Sequence, residues 1–479
     1  MAASFQFDHI VDFAPEQAQA ILRAVPALPG VFALRGARES DEPYLTRTAD
    51  LRRRMTRLLA PPESQSKRLN LRDKVARIEY SVTGSEFEST LVLYHAAAAQ
   101  FGYAEARRRL KLHTPYFLRL TMENRFPRVY STNKLSKRGL TQMYGPFPSR
   151  TAAERYCDAV LDLFKLRRCY EDLEPYPEHP GCVYQEMKKC LAPCNEACTP
   201  DQYAAEAAAV KAFFDTHGES MVIQIGLERE EASAAMEFEQ AAALHTQWQK
   251  VKAAAALADE LVRPIPALRA VIVQAAHATG DDTLEASLFL LEGGCLAGPQ
   301  RLSTLGVRAV KEQTSVGSSL FAQPLMLQAV PLASTDSAPP APEAANPGLA
   351  SPEERAAEAL AALGNKTQGS TDVAMLSDHL SLLRRWYYRP EKQRSGEVFF
   401  PTSDGGWPLR KILRGAARMT LGEPTAMAET RRDLAKGAKV RIPHEGRPEV
   451  ERTVQVVEQV MEQPEPPQTF TSRRSRANE

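Results

Sequence analysis

The spacing of apolar and polar residues along the chain predicts short strands interleaved with helices. Gly30-Val31-Phe32-Ala33-Leu34 and Tyr44-Leu45-Thr46 read as two strands joined by a polar loop containing Gly36, Glu39, Ser40 and Asp41. In the run from Leu51 to Leu59, apolar residues recur at i, i+4, i+7 and i+8. This spacing predicts a helix with Asp50 as N-cap and its arginines facing water. Arg77 to Thr83 alternates like a strand, and the Ala-rich run from Glu86 to Leu110 reads as one helix. Strand patterns return at Tyr116 to Thr121 and Arg128 to Tyr130, followed by the turn-rich Tyr144-Gly145-Pro146-Phe147-Pro148-Ser149 and a helix from Arg150 to Leu166.

Beyond Leu166 the pattern changes. Cys169 to Cys198 has too much Pro, Gly and Glu for a continuous element. Pro200 to about Glu260 is rich in Ala, Glu and Gln with few breakers, as expected for two or three helices. Leu268 to Ala275 and Glu285 to Glu292 read as strands around Gly280-Asp281-Asp282. Pro331 to Pro352 has almost no large apolar residues and reads as a flexible linker, and a last module holds the Trp386-Tyr387-Tyr388 cluster. The expected fold class is α+β and multidomain. Its expected parts are a small α/β domain at 25–112, a strand-rich and cysteine-bearing region at 113–200 and a helical region at 201–262. A small β-containing domain at 263–330, the linker at 331–352, an α+β module at 353–452 and a disordered tail at 453–479 complete it.

A length of 479 residues agrees with roughly three folded units at about 150 residues each. The net charge of +1 argues against a uniformly basic surface, yet residues 47–138 hold 20 Lys and Arg against 8 Asp and Glu, leaving 40 against 51 elsewhere. A basic module is hidden in a neutral total. No apolar run approaches the roughly 20 residues that span a bilayer, and the first residues lack a basic-then-apolar leader, so the expected compartment is the cytoplasm, with no membrane partner.

Seven cysteines in such a chain suggest metal binding or free thiols. Cys169, Cys182, Cys190 and Cys194 fall within 26 residues, and four soft thiolates there can close around one inorganic centre, zinc or iron-sulfur. Their spacing matches neither the common zinc knuckles nor the usual ferredoxin run, so spacing does not choose the metal. Cys198 is a substitute candidate, while Cys157 and Cys295 read as small hydrophobes.

Six segments, in order, resemble one family, the bacterial excision-repair nuclease subunit UvrC and its shorter Cho-type relatives. They are Pro29-Gly30-Val31-Phe32, Tyr44-Leu45-Thr46-Arg47 with Asp50-Leu51-Arg52-Arg53-Arg54, Val82-Thr83-Gly84-Ser85-Glu86, Tyr144 to Ser149, Lys189-Cys190-Leu191-Ala192-Pro193-Cys194, and Met236-Glu237-Phe238-Glu239-Gln240-Ala241-Ala242. The resemblance covers about the first 260 residues. It implies a GIY-YIG nuclease fold, a 4Fe-4S cluster on Cys169, Cys182, Cys190 and Cys194 with zinc as the alternative, and a UVR helical hairpin that docks the UvrB subunit.

Carried over position by position, the resemblance also implies a decayed catalytic site. Tyr44, Arg47 and Arg54 keep their catalytic residue types, but Phe32 stands where the family has a tyrosine. Ungapped counting puts Leu93 at the metal-binding glutamate and Glu105 at the supporting asparagine. Leucine cannot ligate Mg²⁺. The expected function is therefore a repair protein that binds DNA through Arg52, Arg53, Arg57, Lys67 and Arg68, docks a UvrB-like subunit through Met236, Phe238 and Leu244, and has lost GIY-YIG cleavage. One alternative is an active Mg²⁺-dependent endonuclease with a site rebuilt from Glu86, Glu88 or Glu105. Another is a metal-stapled scaffold without a DNA role. Arg107-Arg108-Arg109-Leu110-Lys111 is expected to extend the basic patch, Asp378 and His379 to be helical with an N-cap role, and the cluster from Arg384 to Arg389 to be either half-buried core or a base-stacking surface.

Overall fold

The computed structural model describes residues 5–38, 40–61, 69–277, 285–307, 350–367, 372–390, 393–421, 438–442 and 450–454. Lys67, Arg68, Glu39, the Gly280-Asp281-Asp282 turn, nearly all of the expected linker and all but the first two residues of the expected tail lie outside the described residues.

The first sheet sets β1 (His9–Asp12), β2 (Gly30–Arg35), β3 (Tyr44–Thr48) and β4 (Arg77–Val82) in the order β1-β4-β2-β3, with every pair antiparallel. Side chains alternate across a strand. Phe32 and Leu34 therefore pack with Leu51, Met55 and Leu58 of α2 (Leu51–Leu59), which follows the N-terminal α1 (Ala18–Ala24). Val31 and Ala33 meet Val92 and Ala96 of α3 (Glu86–Phe101) on the other face. A strand covered on both sides has no solvent-facing row, which explains the continuous apolar run at 30–34. Asp50 caps α2 by accepting from the Arg53 N–H at 2.8 Å, and Ser85 caps α3 by accepting from the Glu88 N–H at 3.1 Å.

The run from Glu86 to Leu110 is not the single helix its alanines suggest. Gly102 adopts φ 81°, a conformation costly for a residue with a Cβ, and α4 (Tyr103–Arg109) starts afresh beyond it. Leu93 and Glu105 consequently sit on different helices.

The second sheet joins β5 (Tyr116–Leu120), β6 (Val129–Thr132), β7 (Met143–Phe147) and β8 (Arg263–Pro264) in the order β6-β5-β7-β8. Leu118, Tyr144 and Phe147 pack there with Tyr156 and Val160 of α5 (Arg150–Leu161) and with Tyr203, Phe213 and Phe214 of α7 (Pro200–Asp215). The cysteine-bearing segment lies between α5 and α7 in sequence and contains the one-turn α6 (Val183–Glu186) and a 3-10 turn at Pro193–Asn195. α8 (Glu219–Ala234) and α9 (Phe238–Ala255) form a helical hairpin.

The third sheet corrects the expected division of the C-terminal half. β9 (Arg269–Ala275), β10 (Glu285–Glu292) and β11 (Cys295–Ser303) form a meander, and β12 (Glu397–Phe399) pairs antiparallel with β9, giving the order β11-β10-β9-β12. Segments expected as separate modules thus share one sheet. Its Val271, Val273, Leu288 and Leu290 face α10 (Pro352–Thr367) and α12 (Leu409–Leu421). Ile272, Phe289 and Leu291 face α11 (Val373–Tyr387), whose Leu376, Leu380 and Leu383 share a core with Phe87, Leu91 and Tyr94 of α3. No strand or helix pattern announces that pairing, because the joined residues are more than 120 positions apart.

Residues 1–422 form one compact unit. The other unit, residues 423–479, contains β13 (Ala438–Ile442) and β14 (Val450–Val454), an antiparallel pair. No described helix is long and apolar enough to cross a membrane.

Candidate nucleic-acid interface and cysteine centre

Helix α2 buries Leu51, Met55, Leu58 and Leu59 and leaves Arg52, Arg53 and Arg57 exposed. Its amphipathic spacing is what turns the arginines outward. Arg47, Arg53, Arg54 and Arg57 line a groove of about 630 Å³ whose lining, among the described residues, contains one carboxylate, that of Asp50. That carboxylate caps the helix. Arg54 donates to the Tyr44 hydroxyl at 2.8 Å, and the Tyr44 and Phe32 rings lie 6.2 Å apart between centroids. Arg52 faces elsewhere, donating to the Val25 carbonyl at 2.7 Å. Tyr44, Arg47 and Arg54 are thus brought together, while Phe32 is fully buried and offers no hydroxyl.

Leu93 is half-buried and lines a recess of about 300 Å³ with Thr46, Arg47, Thr90, Arg109 and Arg385. Among the described residues, no carboxylate lines it. The three glutamates that could rebuild a metal site are all otherwise engaged. Glu86 accepts from Arg389 at 2.6 and 3.0 Å and from Arg47 at 3.0 Å. The Arg389 hydrogen bond is the main reason its carboxyl is held down at about 2. Glu88 is buried, accepts from Ser287, Arg301 and the Gly84 N–H, and has its pKa pushed up chiefly by loss of hydration. Glu105 is clamped by Arg108 and Arg109, whose hydrogen bonds hold it at about 2. The recess does not fit a hard divalent cation, which needs several oxygen donors.

Two expectations about nearby charges are corrected. Arg107 does not extend the basic patch, since it donates to Asp378 at 2.6 Å, and Arg109 is paired with Glu42 and Glu105. Asp378 and His379 are buried in the middle of α11, whose N-cap is Asp372. The Arg384 to Arg389 cluster is a clip. Trp386 and Tyr387 are buried, Arg384 donates to the Pro148 carbonyl, Arg385 to that of Leu110, Tyr388 to that of Pro146, and Arg389 to Glu86. The aromatic-basic pattern shows the cluster, but nothing in it points to Arg385 as a wall of the Leu93 recess or to Arg389 as the partner of Glu86.

The cysteine segment is held by polar contacts. The Tyr203 hydroxyl accepts from the Arg167 N–H at 3.1 Å and donates to the Pro127 carbonyl at 2.8 Å. The Leu191 N–H reaches the Lys165 carbonyl at 3.0 Å. Cys169, Cys182 and Cys190 are half-buried and Cys194 is buried, and burial pushes the Cys190 thiol up to about 11. Burial also raises the Cys194 and Cys198 thiols. The Ala192 N–H points at the Cys190 sulfur at 3.3 Å, and Arg167 approaches the Cys169 sulfur at 3.7 Å, donors suited to thiolates. Among the described residues, no three ligating side chains are drawn close enough to hold an ion as they stand. The donor set fits a soft metal centre by its chemistry. Cys157 and Cys295 are buried elsewhere.

At the turn of the α8–α9 hairpin, Met236 has φ 63°, and Met236 and Phe238 are 76% and 68% exposed. Leu244 packs inward against the second core and is not part of that exposed tip. Ile223 and Leu227, one turn apart on α8, are exposed as well. Their i, i+4 spacing was readable in the sequence but is shared by inward-facing pairs.

Residues 116–213 match the model of a family described as "UvrC/Cho excinuclease, middle domain". A protein named "UvrABC system protein C" from Alcanivorax borkumensis is 27% identical over 225 residues, which is 47% of this chain and 36% of that protein. Its namesakes from Koribacter versatilis and Aliivibrio salmonicida are 29% and 27% identical over 46% and 50% of the chain, and 36% and 38% of their own lengths. The chain therefore spans little more than a third of the length of the relatives it matches. No solved structure matches it. The cysteine segment lies inside the matched region and the arginine groove precedes it, so the likeness to the UvrC/Cho middle domain rests on residues 116–213 and the likeness to the UvrABC system proteins C on about half of the chain.

Proposed function

We propose that the chain is a nucleotide-excision-repair subunit of the UvrC type that binds DNA and a UvrB-like protein and does not cut from its N-terminal groove. The observation that supports the lost cleavage is the engagement of Glu86, Glu88 and Glu105 around a recess lined by Leu93. Hydrolysis of a phosphodiester in a GIY-YIG site needs a metal to polarise the phosphoryl oxygen and a group to activate water. The recess supplies no ligand for the first, and the Tyr44 hydroxyl is already held by Arg54.

What remains is binding. Arg47, Arg53, Arg54 and Arg57 present a fork of N–H donors to a phosphate backbone, and Thr48 adds a hydroxyl at the groove edge. Such contacts carry no base preference and weaken steeply with salt. Cys169, Cys182, Cys190 and Cys194 would hold a 4Fe-4S cluster or zinc, which would staple a segment poor in apolar contacts. Met236 and Phe238 would insert into the partner's helical surface. The relatives' printed name, a protein of the UvrABC system, supports the setting.

A nicking assay on damaged duplex with Mg²⁺ or Mn²⁺ tests the reading. Binding without cleavage is expected, and metal-dependent nicking abolished by Tyr44→Phe would overturn it.

A further inference from the structure

Strand β6 and the start of the cysteine segment build a surface that the groove does not explain. Arg128 lies between two tyrosine rings, its guanidinium carbon 5.3 Å from the centroid of Tyr130 and 5.1 Å from that of Tyr170. One of its terminal nitrogens donates to the Cys169 carbonyl at 3.3 Å, its buried Nε has no hydrogen-bond partner, and no carboxylate of the described residues pairs with it. The stack is therefore fixed in place and keeps its positive charge. Tyr170 nevertheless remains 71% exposed, although it is a large ring in an ordered contact.

Arg150, at the first position of α5, stands within electrostatic reach of both Tyr116 and Tyr170. Among the described residues it is paired only with Glu154, and that pair is largely in water, with side chains 67% and 43% exposed. A rigid aromatic ring backed by one guanidinium and flanked by another has the chemistry of a platform for an unpaired base, with the ring taking the base and the cation the adjoining phosphate. A buried tyrosine pair would instead have closed over both faces.

We propose that Tyr170, backed by Arg128 and flanked by Arg150, is a stacking site for an unpaired nucleotide of single-stranded or locally opened nucleic acid. The proposal rests on the DNA-binding reading above and adds a second contact at the cysteine segment, specific for strands whose bases are free.

The test uses the full chain with two probes, oligothymidylate and a fully paired hairpin duplex. Tyr170→Ala is expected to weaken oligothymidylate binding about tenfold, as loss of one stacked base does, and to leave duplex binding within about twofold. Tyr170→Phe retains binding. Tyr170→Trp places an emitter on the platform, and its fluorescence is quenched on titration with oligothymidylate. Arg150→Gln weakens the same complex and flattens its salt dependence. Unchanged oligothymidylate binding by Tyr170→Ala, an equal loss on both probes, or no quenching in Tyr170→Trp overturns the stacking site while the groove reading stands. Binding of neither probe by the wild-type chain overturns both, and a protein-binding role for this surface then takes their place.

Discussion

Arg389 closes on Glu86 with two hydrogen bonds of 2.6 and 3.0 Å, and so ties the end of α11 to the first turn of α3 across 303 positions of sequence. The carboxyl is held at about 2, below its ordinary 4.5. A depressed acid stabilises the fold above its unfolded pKa, and that contribution fades as pH falls from about 4.5 towards 2. Both side chains are about a third or more exposed, so the pair is worth at most about 1 kcal/mol. Arg389→Ala should lower the unfolding free energy from urea denaturation at pH 7 by up to that amount, and the gap to the wild type should vanish as pH falls through about 2. A gap that persists at low pH would show that Arg389 acts by packing.

Gly84 sits where β4 hands over to α3, and a Cβ there would come within 2.2 Å of the Ala275 carbonyl and 2.5 Å of the Ala276 backbone. Neither neighbour is a flexible side-chain end. Gly84→Ala should cost about 1–3 kcal/mol, read by denaturant unfolding, because the first and third sheets must part to admit a methyl group.

Glu88 is buried against Arg301, Ser287 and the Gly84 N–H. Removing one partner of a buried charge pair strands the other, so Glu88→Ala should destabilise by about 3 kcal/mol or more. Glu88→Gln, which keeps the shape and can still meet Ser287, should cost clearly less. Equal losses in the two variants would point to volume and not to charge.

Arg53→Glu combined with Arg57→Glu should reduce duplex affinity strongly at low salt. If each arginine meets one phosphate, the slope of log affinity against log salt should fall by about 0.9 per residue removed. An unaltered slope would place the DNA elsewhere on the protein.

Iron, acid-labile sulfide and zinc should be measured on anaerobically purified protein. Cys190→Ser should lose most of the bound metal, and Cys198→Ser should keep it. Equal loss in both would make Cys198 a ligand.

Much of the N-terminal domain was legible because its elements answer to local rules. Asp50 caps α2 and the 3.6-residue spacing sets its arginines outward, both read from adjacent residues. Gly102 is also local, but a single glycine inside a run with apolar residues at helical spacing is tolerated in many helices, so the break at its positive φ does not stand out in the sequence. The rest was decided by contacts between residues far apart in the chain. Nothing near Glu86 announces Arg389, nothing near β9 announces β12, and Leu244 turns inward because of cores on α5 and α7. Local spacing gives the face a residue occupies on its own element, and it is silent on what that face meets.

The position of α11 between α3 and the third sheet has a practical outcome for anyone dividing this protein. A shortened version ending near residue 260 would keep every stretch that resembles UvrC, yet it would strip the cover from Phe87, Leu91 and Tyr94. Such a fragment should be sticky and prone to self-association, and the two halves of the polypeptide are better treated as one inheritance unit than as a reader and an accessory.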